Sequence, residues 1–257
     1  MNILFRASMV GKLMTEPRSK SEGPLSQGAK TAIRDIAARH ILGVDFEVSS
    51  REMEKGIQCE PDSIALLNRV RGLSLEKNTE RRNDGFLSGE CDLFHARALD
   101  GYDIKTAWSA ATFPILADDI GGSQRALYEW QCRAYMALWN AGRWHVAYAL
   151  VNTPEHLIGY EPPSLHFFDH IPEHMRLTVW TIERDATKEA AMYEKVKQAR
   201  DYYREVLADF DRTHVLPGEA PPWTDTYLPA SSAATLTPSN VPAPKTTAPA
   251  DVLAPSF

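Results

Sequence analysis

Apolar and polar positions alternate along this chain with two periods, and the changes of period divide it into elements. Apolar residues at three- and four-residue intervals predict a helix over 26–43, with Gly43 at its end. A second amphipathic run, 49–71, contains Pro61; proline removes a backbone donor and crowds the preceding turn, so a kink or a helix restart is expected there. Residues 85–109, GFLSGECDLFHARALDGYDIKTAWS, read as two strands joined by a tight turn at ALDG, 98–101. A helix over 123–141, strands over 144–152 and 176–185, and a long charged helix over 188–210 follow. A short amphipathic stretch, 3–15, and a loop rich in Pro, Gly and Ser precede them all. This order predicts an α/β protein with a central mixed β-sheet flanked by α-helices.

Beyond about 217 the composition shifts to Pro, Ala, Ser and Thr, with few large apolar groups left to offset the entropy of ordering. The expected organisation is therefore one domain over 1–216 and a disordered tail over 217–257. No run of eighteen apolar residues occurs, and the opening MNILFRASMVGKLM lacks the features of a secretory signal, so a cytoplasmic location is the expectation. Cys59, Cys91 and Cys132 are widely spaced and odd in number, which argues against a disulfide framework or a zinc knuckle. A net charge of −6 argues mildly against a nucleic-acid partner, yet the first forty residues hold Arg6, Lys12, Arg18, Lys20, Lys30, Arg34 and Arg39 against Glu16, Glu22 and Asp35.

The 85–109 hairpin carries the chemistry. On one strand Asp103 and Lys105 alternate, so their side chains share a face, and Asp92 on the neighbouring strand can reach it. Like charges on adjacent strands repel. Two carboxylates beside an ammonium make a poor core but a good site for a hard cation, because Mg²⁺ takes oxygen ligands and neutralises them. The plain alternative is a surface hairpin with a Lys–Asp pair. The stretch HFFDHIPEH spaces His166, His170 and His174 four apart, but Pro172 and the lack of an HExxH pattern make it a loop rather than a metal helix.

Gly56-x-x-x-Glu60, Asp92, Asp103-Ile104-Lys105 and Gln131-x-x-x-Tyr135, in that order, resemble the PD-(D/E)xK (restriction-endonuclease-like) nucleases, and more narrowly the lambda exonuclease, or YqaJ-type viral recombinase, family of phages. The resemblance spans roughly 4–212. It implies that Asp92, Asp103, the Ile104 carbonyl and Glu60 hold Mg²⁺ (with Mn²⁺ able to substitute) and that Lys105 orients and activates the attacking water. It further implies that Gln131 and Tyr135 support the catalytic strand or a phosphate, and that Arg6 and Ser8, in FRASMVGKLM, take a DNA phosphate. The departures are Leu93 where the family often has glycine, and Asp103 where glutamate is common. The implied function is a metal-dependent exonuclease acting 5′ to 3′ on linear duplex DNA, leaving a 3′ overhang for recombination. A single-strand annealing protein and a homotrimeric ring are the implied partners. An endonuclease on the same fold, or a binding module with a vestigial site, are the alternatives. Deleting 229–257 is expected to leave nuclease activity on a matched duplex intact; a truncated protein that no longer cleaves contradicts this.

Overall fold

A computed structural model describes residues 3–44 and 49–215. The expected tail therefore lies outside the described residues. A two-residue strand, β1 (Phe5–Arg6), runs directly into α1 (Ala7–Leu13). Helix α2 (Gln27–Leu42) starts where the Ser26 side chain accepts from the Ala29 amide, and it ends at Gly43 in the left-handed region. The interrupted helix resolves as expected into α3 (Arg51–Gln58) and α4 (Glu60–Arg71), hinged at Cys59, with Pro61 in the first turn of α4, where its missing donor costs nothing.

Two small mixed sheets follow. In the first, β3 (Leu87–Glu90) lies between β1, parallel to it, and β2 (Arg81–Asn83), antiparallel to it. In the second the order is β4 (Leu93–His95), β5 (Asp100–Thr106), β6 (Arg143–Ala149) and β7 (Leu177–Glu183), with β5 and β6 parallel. Helix α5 (Arg125–Trp139) provides the crossover from β5 to β6, α6 (Glu155–Ile158) is a single turn in the following loop, and α7 (Ala186–His214) closes the domain. Asp185 caps α7 by accepting from the Thr187 and Lys188 amides.

The hairpin of 85–109 departs from expectation in two ways. Its first strand is broken: β3 belongs to one sheet and β4 to the other, and Asp92 sits in the break rather than within a strand. The partner that forces the break, β1, lies some eighty residues earlier, out of reach of local pattern. The turn falls at 96–99, with Leu99 at φ 54°, so Asp100 and Gly101 belong to β5. Asp100 is retained there by Arg143, whose Nε and Nη2 donate to it at 3.1 and 2.8 Å.

Gly101 is on β5 for a steric reason. The buried Trp144 ring lies so close that a Cβ on residue 101 would be 2.2 Å from it. Trp144 in turn stacks on Tyr135 of α5, ring centroids 5.2 Å apart, and on Phe94 of β4 at 6.5 Å. This aromatic block fixes α5 across both sheets. On the far side α1 packs on α5 with equal closeness: a Cβ at Gly11 would be 2.6 Å from the Leu127 Cα. Buried Arg200 of α7 ties the layers together by donating to the Ile3 and Gly85 carbonyls. Gly101→Ala is expected to destabilise the fold by about 3 kcal/mol through overpacking, whereas Gly142→Ala, with open space around it, is expected to stay within about 0.5 kcal/mol of wild type; chemical denaturation of the two variants checks the contrast.

Candidate active site

The break at Asp92 and the face of β5 bring the carboxylates together. Asp92 Oδ2 accepts from the Ile104 amide at 2.6 Å, so its carboxylate lies over β5. Asp103 is 2% exposed, and Lys105 Nζ forms an ion pair with its Oδ2 at 2.7 Å. Buried Asp103 Oδ2 thus has the Lys105 ammonium as its partner. The other oxygen, Oδ1, accepts from Gln131 Nε2 at 3.2 Å. The same Gln131 nitrogen donates to the Tyr135 hydroxyl at 3.3 Å, and that hydroxyl donates to the Glu90 carbonyl at 3.2 Å. One turn of α5 therefore braces Asp103 in one sheet against Glu90 in the other, two residues before Asp92.

Charge follows geometry. Burial, and next the charge of Asp103, push the Asp92 carboxyl up to about 7, against the pull of Lys105 and the Ile104 amide. Burial works against the Lys105 charge, but the carboxylates of Asp103 and Asp92 outweigh it and hold the ammonium well above its ordinary range. Two crowded carboxylates beside one ammonium have the donor chemistry a hard divalent cation takes; Mg²⁺ commonly uses one or two carboxylates and keeps several waters.

The remaining predicted residues fall in distinct places. Glu60 opens α4, and one turn on Ser63 Oγ lies 2.8 Å from Thr106 Oγ1, which sets this face of the helix over the end of β5. The Glu60 charge reaches Asp92, yet its carboxylate is engaged in an ion pair with Lys77. Among the described residues no three His, Cys, Asp or Glu side chains close into a metal cage. Arg6, on the edge strand β1 of the first sheet, and Ser8, in the first turn of α1, are both exposed; Arg6 is in register with Ser88, four residues before Asp92. His166 is fully buried, bonded to Thr153 Oγ1 at 3.0 Å and Glu161 Oε2 at 3.3 Å, while His170 and His174 are exposed. The three cysteines are free and buried.

Several neighbours carry no sequence signal of their own. The Lys105 ammonium lies 5.2 Å from the ring centroid of Tyr128, whose hydroxyl is 3.3 Å from that of Tyr148, the residue paired with Lys105 across β5 and β6. Lys55, wholly buried, donates to the Ala107 and Trp108 carbonyls at 2.7 and 2.9 Å, pinning the chain just beyond Lys105. Burial lowers its ammonium to about 8.

Solved structures share this fold. A phage-related exonuclease from Haemophilus somnus 129PT is 30% identical, with a TM-score of 0.76 over 82% of this chain and 97% of that one. An alkaline exonuclease from Laribacter hongkongensis is 14% identical, with a TM-score of 0.59 over 82% of this chain and 92% of that one. The same enzyme in complex with dAMP, at 16% identity and a TM-score of 0.57 over the same shares of the two chains, agrees in fold. No family model and no curated protein matches the chain.

The raised Asp92 carboxyl has a consequence for stability. The folded protein binds this proton more tightly than the unfolded chain does, so the contribution is complete below about pH 4 and is lost as pH rises through about 7. In chelator, wild type is expected to lose melting temperature across that window relative to Asp92→Asn. Added Mg²⁺ is expected to remove the difference. Parallel pH profiles for the two proteins in chelator contradict the assignment.

Proposed function

This chain belongs to the lambda exonuclease-like family of PD-(D/E)xK nucleases, and from that premise we propose that it is a Mg²⁺-dependent exonuclease of linear duplex DNA. It degrades one strand from the 5′ end and leaves a 3′ overhang for recombination. The observation that carries the reading is the convergence of half-buried Asp92, whose carboxylate accepts from the Ile104 amide, and buried Asp103 beside Lys105.

In this reading Asp92, Asp103 and the Ile104 backbone hold the cation, with Glu60 joining directly or through water. When bound, Mg²⁺ supplies Lewis-acid polarisation of the phosphoryl oxygens and a more acidic water. The oxygen of water bonds to phosphorus as the bond to the departing ribose oxygen breaks. Lys105, held as an ammonium, acts as a donor: it orients the water and stabilises the negative charge that grows on phosphorus. Gln131 keeps Asp103 aimed, and Tyr135 keeps Gln131 in place. Arg6 and Ser8 take a terminal or backbone phosphate of the substrate. A homotrimeric ring around DNA, an annealing partner and action in the cytoplasm of a bacterial host belong to the same proposal; among the described residues no helix is long and apolar enough to cross a membrane.

Linear duplex DNA labelled on either strand, incubated beside a covalently closed circle, tests the reading. Only the linear DNA is expected to be lost, from its 5′ ends, and only with Mg²⁺ or Mn²⁺. Lys105→Ala is expected to slow this at least about a hundredfold. Cutting of the circle would move the protein to the endonucleases, and cleavage that persists in chelator would remove the metal from the mechanism.

A further inference from the structure

Lys77 has no role in the chemistry described so far, yet its position is closely fixed. It lies in the loop between α4 and β2, and both flanks of that loop are clamped. On one side Leu75 exchanges two hydrogen bonds with the Asn68 side chain of α4, at 3.0 and 2.8 Å. On the other, the Asn78 amide donates to the Asp92 carbonyl at 2.7 Å and its Nδ2 donates to the Cys91 carbonyl at 3.1 Å. The loop is thereby fastened to the very residue that supplies a carboxylate to the site. From this segment the Lys77 ammonium donates to Glu60 Oε2. The Glu60 side chain is 18% exposed and that of Lys77 is 53% exposed, and the charges of Asp92 and Glu90 also reach the ammonium.

We propose that Lys77 is a placeholder and a phosphate ligand: it neutralises Glu60 in the ion-free protein, and it passes to a DNA backbone phosphate once a divalent cation engages Glu60. The inference rests on the metallonuclease reading above. A divalent ion at Glu60 repels the ammonium that occupies it, so the two compete for one carboxylate. Four methylenes on a clamped backbone keep the displaced charge at the mouth of the site, and its half-exposed position opens it to solvent and to an incoming polyanion. An incoming DNA backbone then offers it a replacement anion from the solvent side. Lys77 is a positioning residue in this account; it touches substrate backbone, not the reacting atoms.

Two readouts besides activity test it, on the full-length protein with Lys77→Met and Lys77→Arg, after matched melting temperatures show that all three are folded. The first is Mn²⁺ binding without DNA, followed by loss of the free-ion electron paramagnetic resonance signal. Lys77→Met is expected to bind Mn²⁺ about threefold more tightly, because the competing charge is gone, and Lys77→Arg to stay near wild type. The second is binding of a fluorescein-labelled linear duplex in Ca²⁺ across a salt series. Lys77→Met is expected to bind more weakly and to lose about 0.9 from the slope of log affinity against log salt, the share of one phosphate contact. Lys77→Arg is expected to keep that slope. Unchanged Mn²⁺ affinity in Lys77→Met, or an unchanged salt slope, overturns the proposal and leaves an ordinary surface ion pair. Failure of wild type itself to bind Mn²⁺ overturns instead the metallonuclease reading beneath it.

Discussion

Asp92 and Asp103 meet where two small sheets join, and burial strengthens their repulsion beyond what water would allow. Lys105, ion-paired to Asp103 Oδ2, offsets part of it, but one ammonium faces two carboxylates. Two carboxylates crowded away from water carry a real penalty. The fold tolerates the penalty because the surrounding structure leaves the charges nowhere to go: the Ile104 amide holds Asp92, Gln131 holds Asp103, and Asp103 and Lys105 cannot turn away without reversing the face of β5. The strain is local and electrostatic, and it is the kind a hard cation relieves.

That arrangement needs two sheets held in fixed relation, which is the task of α5. Tyr135 reaches the Glu90 carbonyl in one sheet and stacks on Trp144 in the other, and Gly101 and Gly89 are bare so that these rings can approach. The helix that positions Asp103 is thus the one that fixes the seam. Lys55 adds a further restraint by anchoring the chain directly after β5. The acidic net charge of the chain bears little on this: around the seam Lys105 and Lys77 are each ion-paired to a carboxylate.

Much of the site was legible in the sequence because its signals are short-range. The period of two along β5 placed Asp103 and Lys105 on one face, Pro61 marked the restart that presents Glu60 at the head of α4, and the four-residue interval put Gln131 and Tyr135 on one side of α5. What stayed hidden depends on distant partners. The break at Asp92 is imposed by β1, the turn at 96–99 by the register of β4 on β5 and by the Trp144 ring under Gly101, and the nearness of Tyr148 to Lys105 by the pairing of β5 with β6. Lys55 reads as one more polar residue of a solvated helix; only the loop folded over it makes it the most buried lysine of the site. Lys77 likewise gains meaning only once Asn78 is seen bound to the strand break.

The claim on which the account turns is that the Asp92–Asp103 seam holds a divalent cation. Crystals of the full-length protein soaked in Mn²⁺ and measured for anomalous scattering test it most directly. The account predicts an anomalous peak between the two carboxylates, within coordination distance of both, that disappears in Asp103→Asn. A seam with no peak at saturating Mn²⁺, or a peak bound only at some other acidic site, would contradict it.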